Sequence, residues 1–148
     1  FHNSVHNAAA GYWTIGSGCM RTTTAISAHR ASFAQGLLEA MVQLATDAEA
    51  VLLVGYDTSA TGLLGTVTRS EGLLGGALVL AREGSGPLLS ARLEDDEAAP
   101  GDGPLARHAK DNAMAPMLPL FDALAAGAPG VALHAGPGRR LALDIAHG

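Results

Sequence analysis

Residues 28 to 46 carry two apolar stripes side by side. Phe33, Leu37, Met41 and Leu44 recur at helical spacing, and Ala34, Leu38, Val42 and Ala45 form a second stripe next to the first. The combined face is too wide for a helix that rests on a single layer. It predicts a central helix covered on both sides, between sheet layers. Just upstream, TTTAI at 22 to 26 is β-branched at four of its five positions, which predicts a short strand. Ser27 follows at a favoured N-cap position, so the helix is expected to start there. Downstream, AVLLVGYD at 50 to 57 is a continuous apolar run of strand length ending at Gly55, as a buried parallel strand would be. Strand, helix and strand together make a βαβ unit and place the chain in the α/β class.

The flanks are less regular. Residues 1 to 21 mix small and polar residues with Tyr12, Trp13 and Ile15, and the Gly-Ser-Gly at 16 to 18 breaks any element; a loop with one helical turn is expected. GGALVLARE and PLLSARLED read as two strands parted by Gly-Ser-Gly at 84 to 86, and they are expected to pair as an antiparallel hairpin. The stretch DDEAAPGDGP at 95 to 104 is acidic and rich in Pro and Gly, the composition of a surface loop. Beyond it, MLPLFDALAAG predicts a helix despite Pro119, and RRLALDI predicts a final strand.

Composition narrows the function classes. The 148 residues hold fourteen acidic against nine Lys and Arg residues, a net charge of −5, with the basic residues dispersed; nucleic acid is not an expected partner. The one cysteine, Cys19, leaves no internal disulfide or Cys-rich zinc site and suits a reducing compartment, so a cytoplasmic location is expected. No apolar run reaches the length of a membrane span, and no basic-then-apolar signal opens the chain. It begins at Phe1 within a dense Asn/Ser/His stretch, and an upstream part is expected to be missing.

Several residue patterns could carry chemistry. His2 and His6 are spaced i, i+4, but the surrounding residues disfavour a helix, no third ligand is evident and there is no HExxH glutamate, so no metal is expected. GSG at 16 to 18 and GLLGG at 72 to 76 lack both the GK[ST] of a phosphate loop and the strand–GxGxxG–helix context, and no cofactor is expected. Asp57 ends a core strand, where capping or a loop role is the usual outcome. Tyr12 and Trp13, an aromatic pair in a polar stretch, suit either core anchoring or partner contact, and contact is the favoured reading. Ser27 is either a helix cap or a nucleophile. A serine attacks only when a base removes its proton, and no motif places His29, His2 or His6 as that base.

Five words in order resemble the N-terminal half of the β-ketoacyl synthases, the condensing enzymes of fatty-acid and polyketide synthesis. NAAAGYWTI at 7 to 15 is similar to the family's Asn-x-x-Ala-Gly segment, TTTAIS to its nucleophile strand and SAHRASFAQG to the helix that follows. VLLVGYD resembles the next core strand, and SEGLLGGALVLARE the family's Gly-Glu-Gly-x-Gly-x-Leu-Val-Leu-Glu-Glu segment. The resemblance covers residues 1 to about 94, with 95 to 104 as loop and 105 to 148 as a C-terminal helix and strand of one ketosynthase N-terminal-like domain. It implies a thiolase-like half-domain with a mixed sheet and a buried central helix.

The resemblance also implies where this chain departs from working condensing enzymes. The position of the family's acyl-accepting cysteine is assigned to Ser27, and His108, His134 and His147 lack the Gly-rich contexts of the family's two catalytic histidines. The chain therefore looks like a non-condensing, chain-length-factor-like accessory protein, without cofactor or metal. Its implied partner is a ketosynthase subunit in a heterodimer, or a second copy in a homodimer, with an acyl carrier protein as a further candidate. Asn3, His6, Asn7, Tyr12, Trp13, Thr24 and His29 are the implied interface or pocket residues. Two other readings stand beside it: an acyl-transferring or thioester-hydrolysing enzyme using Ser27, and a carrier-protein or acyl-binding module.

Overall fold

A computed structural model describes residues 5–148. Its elements run α1 (Ala8–Ser17), α2 (Ser32–Thr46), β1 (Ala50–Asp57), α3 (Leu64–Val67), β2 (Leu74–Ala81), β3 (Leu88–Glu94), α4 (Pro104–His108), a 3-10 turn (Ala115–Met117), α5 (Leu118–Ala126), β4 (Gly130–Gly136) and β5 (Arg139–Ala146). They build two sheets, β1–β2 and β3–β5–β4. None of the described helices is long and apolar enough to cross a membrane.

The wide stripe of residues 28 to 46 becomes α2, which touches β1 and β2 of one sheet and β4 of the other. It buries Phe33, Ala34, Gly36, Leu37, Ala40 and Leu44, and these meet Met117, Leu118 and Leu120 beside α5 and Leu133, Leu141, Leu143 and Ile145 of the three-stranded sheet in one core. The central helix is thus present. Its second stripe is less covered than expected, for Val42 is 51% exposed. Helix α5 forms despite Pro119, because proline in the first turn removes an N–H that has no intrahelical acceptor.

Other expectations are corrected. Residues 8 to 17 are helical, not loop. Three successive alanines favour the helix, and Gly18, at φ 65°, ends it in the left-handed conformation with Cys19 N donating to Thr14 O. TTTAI forms no strand and joins no ladder among the described residues, since β-branched residues make a strand only where a neighbour supplies hydrogen bonds. The expected βαβ unit is therefore not formed here. β1 is antiparallel to β2, in register from Ala50↔Ala81 to Asp57↔Leu74. Its burial alternates rather than being continuous, with Leu52 and Val54 on the open face.

The expected hairpin of β2 with β3 is also absent. The break at 82 to 87 carries the chain from one sheet to the other, and β3 pairs instead with β5, from Leu88↔Ala146 to Glu94↔Arg140. Charge favours that pairing: Arg92 meets Asp144 at 2.5 Å and Arg140 meets Glu94 at 2.8 Å across the outer face. Asp144, through its hydrogen bond and then its charge, raises the pKa of Arg92, and both side chains are exposed. β4 and α4 had no counterpart among the sequence expectations. β4 makes a tight turn into β5 through Gly136 and Gly138, both at positive φ.

Candidate functional site at the joint before α2

The joint between residues 22–27 and α2 is a tight turn two residues beyond Ser27. Ser32 fastens it: its Oγ accepts from Ala28 N at 2.9 Å and donates to His29 O at 2.6 Å. Ala31 N donates to Ala28 O at 3.0 Å and closes the turn. The helix therefore starts at Ser32, and Ser27 is not its N-cap, because the hydroxyl that holds the turn belongs to the serine five positions on. His29, at the bend, has φ 51°, a left-handed conformation that non-glycine residues seldom adopt and that concentrates at sites where geometry is constrained.

Ser27 and His29 are both exposed, as is Thr24. Among the described hydrogen bonds none joins Ser27 to a histidine, and the hydroxyl engaged at the turn is that of Ser32. Beside the joint lies a shallow depression of about 420 Å³ lined by Ile26, Ala28, Gln35, Leu38, Glu39 and Val42. Ser27 and His29, alternating with Ile26 and Ala28, are not in its lining. Its two polar side chains are already engaged: Gln35 Nε2 donates to Ala135 O at 2.7 Å, and Glu39 Oε1 accepts from Gln43 Nε2 at 2.9 Å. The accessible lining is mostly apolar.

The other implied interface residues lie on or near α1. None of this helix's residues is buried. Tyr12 and Trp13 are 58% and 60% exposed, and Ile15 is 80% exposed. His6 and Asn7 are exposed just ahead of it, and Asn7 occupies the N-cap position without a side-chain cap bond. Asn3 lies outside the described residues, as does His2. No group of three or more His, Cys, Asp or Glu among the described residues could hold a metal.

A buried polar node emerges that the sequence did not announce. Ser70 Oγ donates to the Asp57 carboxylate and accepts from Ala113 N at 3.0 Å. Asn112, 2% exposed, donates from Nδ2 to Glu71 O at 3.1 Å and accepts from Met114 N at 2.9 Å. The node fastens the segment after β1 to the segment before α5, and it gives Asp57 the structural role expected of it. Ser70 and Asn112 stand in polar loops with nothing in their spacing to mark them.

The family model described as beta-ketoacyl synthase, N-terminal domain, matches residues 1–138. The chain belongs to that family. The family match extends the sequence resemblance well past residue 94, through α4, α5 and β4. No curated protein matches it. Among solved structures it is similar to a chain in the complex of the ketosynthase ApeO with its chain length factor ApeC from Xenorhabdus doucetiae, with a TM-score of 0.71 and 21% identity over 95% of this chain. The chain spans 54% of that solved chain. At this identity the likeness establishes the thiolase-like fold.

Proposed function

We propose that this β-ketoacyl synthase N-terminal domain is a non-condensing, chain-length-factor-like accessory unit that works beside a ketosynthase carrying the reactive cysteine. The carrying observation is the make-up of the joint. Residues 26 to 32 supply Ser27, His29 and Ser32 but no thiol, while the one cysteine, Cys19, follows the C-terminus of α1. Acyl transfer between thioesters relies on a thiolate, which is intrinsically far more nucleophilic than an unactivated hydroxyl. The exposed, uncharged surface of α1, with Tyr12 and Trp13, supports the partner role, since such aromatics are enriched at interfaces.

In this reading the partner is a ketosynthase subunit of a cytoplasmic fatty-acid or polyketide-type pathway, the unit needs no cofactor, and an acyl carrier protein visits the pair. Native mass spectrometry of the full-length tagged protein from its own cells tests it. A stoichiometric complex with a cysteine-bearing ketosynthase, unchanged by Ser27→Ala, is expected. A lone species or homodimer bearing an acyl mass increment mapped to Ser27 would overturn it.

A further inference from the structure

We draw no further inference here: the strongest candidate, the uncharged apolar surface of α1 around Tyr12, Trp13 and Ile15 together with the open face of the β1–β2 sheet at Leu52, Val54 and Val79, carries nothing, because nothing in the structure shows what covers it.

Discussion

Gly55 is the point where α2 settles on β1, and adding one methyl group there tests that packing. A Cβ at Gly55 would stand 2.7 Å from Phe33 Cδ2 and 3.1 Å from Met117 Sδ. The ring cannot swing aside freely, because Phe33 is 3% exposed and packs at 50° against Phe121, with centroids 5.9 Å apart. Overpacking of this kind costs about 1–3 kcal/mol, and the loss of unfolded-state freedom on replacing glycine returns ~0.4–1 kcal/mol. At the middle of both ranges Gly55→Ala is therefore expected to lose about 1.3 kcal/mol, roughly 3–5 °C in Tm at this chain length. Gly75→Ala is the control: its Cβ would meet nothing closer than 3.9 Å, so thermal melts should show no loss. Adding Phe33→Leu makes room, and the double variant should cost less than the sum of the two singles by about 0.5 kcal/mol or more. Strict additivity, or a Gly55→Ala protein as stable as its parent, would refute the proposed seating of Phe33 on Gly55.

Three further perturbations address the local devices. Ser70→Ala leaves the partly buried Ala113 N–H without its partner and removes a donor from Asp57, so urea titration should show a loss of about 1–3 kcal/mol, with faster hydrogen exchange at Ala113; a change below measurement error would mean that water replaces the hydroxyl. His29→Gly relieves the left-handed backbone and should raise stability by a few tenths to about 1 kcal/mol, whereas His29→Ala, which keeps a Cβ, should not; equal melting temperatures would show that the bend is unstrained. Asp122 accepts from Leu105 N at 3.0 Å and Ala106 N at 3.1 Å at the start of α4, so Asp122→Ala should cost about 0.5–2 kcal/mol and speed proteolysis of the 95–103 loop, while unchanged cleavage would count against the cap.

The parts of the fold legible in sequence were those whose cause is local. The stripes of 28 to 46 record burial directly, so α2 and its place between sheets could be anticipated, and Pro119 did not obscure α5 because its position in the first turn is harmless. What failed depended on distant neighbours. TTTAI has the composition of a strand but joins no ladder among the described residues, and the partner of β3 lies more than forty residues downstream in β5. The site shows the same division. Ser27 has the residue type of a cap, yet Ser32 has the geometry, and only the path of the chain through His29 decides between two serines five residues apart. The polar node could not be read at all, because Asp57, Ser70 and Asn112 come from three separate segments.

The strand order β3–β5–β4 has a consequence for biosynthesis. The middle strand of that sheet follows both its neighbours in the chain, so β3 leaves the ribosome before Arg139–Ala146 has been made and has no strand to pair with until then. At synthesis rates of about 5–20 residues per second, β3 waits on the order of seconds with its apolar face and backbone edge open to other chains. Delivery of β5 then closes the local β4 hairpin and the distant β3 pairing together. Quality control in the cell should therefore be most active on nascent chains between these two moments, and a stop codon between Pro137 and Leu141 should leave β3 without its partner strand and the product aggregation-prone.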